Sequence, residues 1–147
     1  MNLANLKIRD FKIEEYDILI ELWKKAELPY RPLGRDSKEN ISKQIEQPNI
    51  SLLFVENQEQ IIGSIIISHD GRKGWINRIA ILPEYRNLGI ACLLIDEAEK
   101  RLKKIGIDIV ACLIEDWNIQ SLKLFDKLGY IRHSDIIYFT KRESAKV

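Results

Sequence analysis

The chain has 147 residues, 46% of them hydrophobic, with 23 Lys and Arg against 22 Asp and Glu for a formal charge of +1. That length buries a core without disulfide or metal staples. The near balance of charge, with no basic run, argues against nucleic acid or an anionic membrane as the main partner and leaves small molecules and proteins.

Leu6 to Arg9 alternate apolar and polar and read as a first strand. A helix is expected from about Glu14, because Ile18, Leu19, Leu22, Trp23 and Ala26 recur at helical spacing and Lys24 and Lys25 fall where cations suit the helix dipole. Leu28 to Arg35 holds two prolines and a glycine and reads as a loop, with Tyr30, Arg31 and Arg35 placed to touch a substrate or simply solvated. Asp36 followed by Glu39 has the form of a capping box before a second helix carrying Ile41 and Ile45, which Pro48 ends.

Three isoleucine-rich segments follow, Ile50 to Glu56, Ile61 to Ser68 and Trp75 to Leu82. The turn signals between them, Asp70-Gly71 above all, predict an antiparallel meander. A long helix comes next, its buried stripe expected at Ile90, Leu93, Leu94, Ala98, Leu102 and Ile105, with Asp96–Lys100, Glu97–Arg101 and Glu99–Lys103 as i,i+4 pairs and Gly106 as a left-handed cap. Ile107 to Ile114 reads as a strand buried on both faces. A short helix through Leu122 to Leu128 ends at Gly129, and a last strand pair is expected over Tyr130 to Thr140 before a polar tail.

No repeat or linker divides the chain, so one α+β domain with a mixed sheet is expected over residues 1–147. Cys92 and Cys112 fall in a helix and a strand rather than at a ligand spacing, which reads as buried reduced thiols with no disulfide and no metal site. Arg9, Asp10 and Lys12 interrupt the apolar residues near the N-terminus and no stretch reaches membrane-span length, so the expected address is the cytoplasm.

The stretch with the most chemistry runs from Trp75 to Gly106. Its strand leads through Pro83 and Tyr85 into Arg86, Asn87, Leu88, Gly89, Ile90 and Ala91, and then into the long helix. Gly89 and Ala91 let a ligand approach the backbone, and the first-turn amides carry unpaired donors at the positive end of the helix dipole, which suits a diphosphate. No Lys followed by Ser or Thr comes after Gly89, and no three-glycine fingerprint is present, so neither a nucleotide-triphosphate loop nor a dinucleotide fold is indicated.

Arg86, two residues, Gly89, one residue and Ala91, set between that strand and helix, with Asn118 and the Leu124 to Tyr130 helix end downstream, resemble the GNAT superfamily of acyl-CoA-dependent N-acetyltransferases. The resemblance implies a mostly antiparallel sheet of six to seven strands with splayed fourth and fifth strands, flanked by about four helices. It implies acetyl-CoA as cosubstrate, its pantetheine arm along Ile79, Ala80 and Ile81, its diphosphate over the amides of Arg86 to Ala91, and Asn118 meeting it from the fifth-strand side. An amine acceptor completes the reaction, and a homodimer is a state the family allows.

The implied chemistry is aminolysis of a thioester. A primary amine with a pKa near 10.4 is about 4 to 5 kcal/mol from its free base at pH 7, so a base or water path matters. The first candidate base is Glu115, then Asp116, with His69 and His133 behind them. A fourth-strand amide near Ile79 is placed to stabilise the oxyanion. Many family members have a tyrosine acid where this chain has Phe125, which cannot donate a proton. The departing thiolate is the easier end, since a thiol pKa near 8.5 lies only about 2 kcal/mol from protonation balance at pH 7, so that departure does not exclude activity. Tyr138 is the substitute acid or an acceptor contact, alongside Tyr30 and Arg31; a catalytically idle acyl-CoA-binding sensor is the alternative reading.

Overall fold

In the computed structural model, which describes residues 1–145 and 147, the chain divides into two compact units, Met1–Cys112 and Leu113–Val147. The first unit runs β1 (Lys7–Asp10), α1 (Tyr16–Lys25), α2 (Lys38–Ile45), β2 (Ile50–Asn57), β3 (Gln60–His69), β4 (Gly74–Ile81), α3 (Ile90–Lys104) and β5 (Val110–Ala111). The strands lie in the order β1-β2-β3-β4-β5, antiparallel except for the β4–β5 pair, which is parallel. The second unit holds one helix, α4 (Ile119–Lys127).

The core sits on both faces of the meander. Leu52 to Val55 of β2 and Ile62 to Ile67 of β3 are each buried without a break, which requires cover above and below the sheet. Leu19, Leu22 and Trp23 of α1 and Ile41 of α2 contribute, as do Ile90, Leu94, Ile95, Ala98 and Leu102 of α3. Gly74 lets α3 settle on β4, since a Cβ there would stand 2.5 Å from Leu102 Cδ1. The buried stripe of α3 differs from expectation at its end: Ile95 is in the core, whereas Ile105 is exposed because it is the C-cap, where the helix unwinds into Gly106 at φ +84°. The Gly106 amide donates to Lys103 O and the Ile107 amide to Leu102 O, closing a Schellman motif. The expected pairs Asp96–Lys100 and Glu97–Arg101 form at 2.8 and 2.9 Å.

Five strands form among the described residues, fewer than the six or seven expected. The Ile107 to Ile114 run contributes only Val110–Ala111, and Tyr130 to Thr140 forms no strand. Both runs are apolar enough for β structure, but a strand exists only against a partner edge, and composition does not supply one. Cys92 and Cys112 are free but half-buried rather than buried, and partial burial raises the Cys112 thiol above its ordinary pKa.

Candidate functional site

The outer edge of β4 is open for most of its length. β5 pairs with it only at Gly74–Val110 and Trp75–Ala111, so among the described residues Ile76–Ile81 has a strand neighbour on the β3 side alone. On that side the Leu82 amide donates to Ile62 O at 2.9 Å and Ala80 stands opposite Ser64. Strand alternation therefore turns the backbone groups of Ile79 and Ile81 to the open side. The β3–β4 register slips between Ser64 and Ile66, and Arg78 takes the left-handed conformation at φ 51°. This bulge re-aims the strand at Arg78 and Ile79, and left-handed backbone at a non-glycine residue is a strained state met often at functional sites.

Beyond β4, a single 3-10 turn over Pro83–Tyr85 leads into Arg86, after which Asn87 (φ 61°) and Gly89 (φ 87°) both adopt left-handed backbone. Gly89 is the N-cap of α3 and offers no side-chain cap, and the first turn of the helix holds no acidic residue. Leu88 N closes the turn over Arg86 and Asn87, but among the described residues no protein acceptor meets the amides of Asn87 and of Gly89 to Cys92; the first helical amide to be satisfied is Leu93 N, by Gly89 O at 3.1 Å. These donors cluster at the positive end of a 15-residue helix. Asn87, Leu88 and Gly89 are exposed. The Arg86 side chain is not free to meet a ligand: Nε donates to Ile81 O at 3.2 Å and Nη2 to Ala26 O at 2.8 Å, tying the loop to the end of α1. Its backbone amide is also taken, donating to Pro83 O at 3.2 Å, so what Arg86 fixes is the placement of the loop.

The loop between α1 and α2 is held against β4 by a cluster that sequence reasoning missed. Asp36, 4% exposed, does not cap α2; Ser37 does, accepting from Asn40 N at 3.2 Å. Asp36 Oδ2 instead accepts from Arg78 Nη2 at 3.0 Å and from Arg31 N at 2.7 Å, and its carbonyl accepts from the Tyr16 hydroxyl at 2.6 Å. Arg78 Nη1 also donates to Pro29 O at 3.1 Å, and its guanidinium stacks 4.8 Å from the centre of the buried Trp23 ring. Burial lowers the Arg78 pKa, and Arg35 adds to the fall while Asp36 opposes it. Trp23 in turn donates Nε1–H to the buried Ser64 Oγ at 3.2 Å. The one signal in the sequence was an arginine, Arg78, inside a strand with no other charged residue.

Of the predicted site residues, Ile79 to Ala91 and Tyr30, Arg31 and Arg35 belong to the first unit, and the Arg78 and Arg86 bonds bring their segments together. Glu115, Asn118 and Tyr138 belong to the second. There Asn118 Oδ1 accepts from Ser121 N at 3.2 Å and caps α4, Glu115 and Tyr138 are exposed, and Phe125 is buried edge-on against Tyr130 with ring centres 4.9 Å apart. His69 Nδ1 accepts from Gly71 N at 3.1 Å, which occupies that nitrogen in a turn. Among the described residues no group of three or more His, Cys, Asp or Glu is arranged to hold a metal ion, and no helix is long and apolar enough to cross a membrane.

The model of the acetyltransferase (GNAT) family matches residues 14–130. Solved structures of similar fold include the PaiA N-acetyltransferase from Thermoplasma acidophilum in complex with coenzyme A, at 24% identity and TM-score 0.75, covering 84% of this chain and 87% of that one. An aminoglycoside antibiotic 6'-N-acetyltransferase from Acinetobacter baumannii matches at 19% identity and TM-score 0.77, covering 95% and 99%. An aminoglycoside acetyltransferase from an uncultured soil metagenomic sample, in complex with sisomicin, matches at 15% and 0.79, covering 96% and 98%.

Proposed function

The chain belongs to the acetyltransferase (GNAT) family, and we propose that it transfers an acetyl group from acetyl-CoA to a primary amine of a small molecule or protein, by direct attack with both substrates bound. Membership makes it an acetyl-CoA-dependent acyltransferase. The observation that carries the reading is the open β4 edge leading directly into an uncapped helix N-terminus.

Each part suits one part of the cosubstrate. The outward backbone groups of Ile79 and the outward amide of Ile81, whose carbonyl is held by Arg86, match the amide-bearing pantetheine arm, which then adds to the edge as a short strand. The free amides of Asn87 and of Gly89 to Ala91 match the diphosphate, with Gly89 leaving its approach clear. Acetyl-CoA supplies an activated acyl group on a thiol leaving group. The chain's own work is to hold it, to aim the Ile79 amide at the carbonyl oxygen and to bring in the amine. Glu115 is the assigned base, Asn118 a cofactor contact, and Tyr30, Arg31 and Tyr138 acceptor contacts. Replacement of Glu115 by Gln is expected to lower kcat without changing acetyl-CoA affinity.

Ligand-linked melting tests the reading. At one hundred times its Kd, acetyl-CoA stabilises by about 2.7 kcal/mol, a Tm rise of roughly 5 to 10 °C for a domain of this size. Gly89→Val is expected to abolish the rise, because it fills the diphosphate approach and forces a β-branched residue to φ +87°. An unchanged curve for the parent protein at millimolar acetyl-CoA would sink the proposal. Thiol release is then screened over polyamines, amino acids, aminoglycosides and peptide N-termini. Binding with no turnover across that panel would favour the acyl-CoA sensor.

A further inference from the structure

We propose that the α1–α2 loop is an anion-binding acceptor subsite, in which Arg31 and Arg35 receive a carboxylate or phosphate on the acceptor, so that the substrate is an amine bearing an anionic group rather than a polycation. This rests on the acetyltransferase reading above and names the class of its second substrate.

The argument is one of charge left over after the structure has used what it needs. From Glu27 to Lys38 the cations are Arg31, Arg35 and Lys38, and the acids are Glu27 and Asp36. Asp36 is buried and committed, bonded to Arg78 and to the Arg31 amide. Just beyond, Glu39 is taken by Lys43 at 2.9 Å. The guanidinium groups of Arg31 and Arg35 are exposed and, among the described residues, neither has a carboxylate partner. Arg35 lies within electrostatic reach of Arg78, whose one carboxylate, Asp36, is already saturated. A third anion from outside relieves that excess.

The backbone of the loop that carries the arginines is also held still. Arg31 N donates to Asp36 Oδ2 and Asp36 N to Arg31 O at 3.0 Å, closing residues 31–36 into a ring, with Gly34 N bonded to Arg31 O across it. Arg78 fastens that ring to β4 at the bulge, and Arg86 fastens the preceding Ala26 to the end of the same strand. The arginines therefore stand on a fixed loop tied to the strand assigned to the thioester. Guanidinium groups suit carboxylate and phosphate geometry. An aminoglycoside, with several ammonium groups, is repelled by the same surface. In the reaction the amine nitrogen bonds to the acetyl carbon, the carbon–sulfur bond breaks, and the proton lost by the amine is returned to the departing thiolate through base or solvent.

The test compares acceptors of different charge, each at a pH set so that the same fraction of its reacting amine is free base: an amino acid, its amide, an aminoalkyl phosphate, spermidine and an aminoglycoside. The expected result is a kcat/KM at least tenfold higher for the acid or the phosphate than for the amide or the polycations, the two anionic arms showing which oxyacid is preferred. Arg35→Glu and Arg31→Glu, at exposed positions that keep the melting temperature, should each cut that rate at least tenfold and raise the rate with spermidine, with acetyl-CoA affinity unchanged. Preference for a polycation by the parent protein, or variants that leave the preference intact, would overturn the inference while leaving the acetyltransferase reading standing. If acetyl-CoA binds but nothing turns over, calorimetry compares the N-acetylated acid, phosphate and amide on the CoA complex. Failure of both anionic products to bind more tightly than the amide overturns it equally. Absence of acetyl-CoA binding removes the underlying reading itself.

Discussion

The edge of β4 with its loop into α3, and the loop between α1 and α2, lie against the same strand but are made in different ways. The first is main chain: open strand amides, two left-handed residues and the bare N-terminus of a helix. The second is held by side chains from distant parts of the sequence, with Asp36 and Arg78 42 positions apart and Arg86 reaching back 60 positions to Ala26. A ligand common to a whole family is served by backbone, which does not change with sequence. A ligand particular to one member is served by side chains, which do.

Substitutions should separate the two regions. Asp36→Ala strands Arg78 against Trp23 without its carboxylate, and loss of one partner of a buried pair costs about 3 kcal/mol or more. Its melting temperature is expected to fall by roughly 10 °C, with acetyl-CoA affinity measured below the transition staying within about twofold. Arg86→Ala touches both regions, since it removes charge-assisted bonds to Ile81 O and Ala26 O, each worth about 1.5 kcal/mol or more. Both stability and acetyl-CoA affinity should drop, as melting and calorimetry together would register. Ala91→Glu reverses the first pattern. A carboxylate in the first turn of α3 favours the helix by about 0.5 kcal/mol but repels a diphosphate, so affinity should fall about tenfold or more while Tm holds or rises. Equal acetyl-CoA binding by this variant would break the comparison. The smallest effect is at the start of the α1–α2 loop, where Glu27 takes the left-handed position after α1 at φ 59°. Glu27→Gly should stabilise by about 0.5 to 1 kcal/mol, seen as a small rise in the denaturant midpoint with its slope unchanged.

The same division explains what could be read beforehand. The start of α3 was legible at Gly89, which takes φ +87° as its N-cap, because strand, loop and helix are contiguous in sequence. The β2–β4 meander was legible from its turns and β-branched runs. Asp36 was misread because a local signal, an acid three residues before Glu39, looked like a cap, whereas its use depends on Arg78, which the chain supplies much later. The Arg86 side chain was likewise invisible as a tether, because its acceptors are carbonyls and carbonyls have no residue type. The Tyr130 to Thr140 run shows the opposite failure, a strong β composition with no strand formed among the described residues.

The central claim is that main-chain donors at the start of α3 receive the diphosphate of acetyl-CoA. The most direct measurement is the amide spectrum of the 15N-labelled protein titrated with CoA, assigned over residues 76–93. The account predicts the largest shifts, downfield, at the amides of Asn87 to Cys92, with smaller ones at Ile79 and Ile81. Saturable binding that leaves those amides unmoved and perturbs another surface would contradict it.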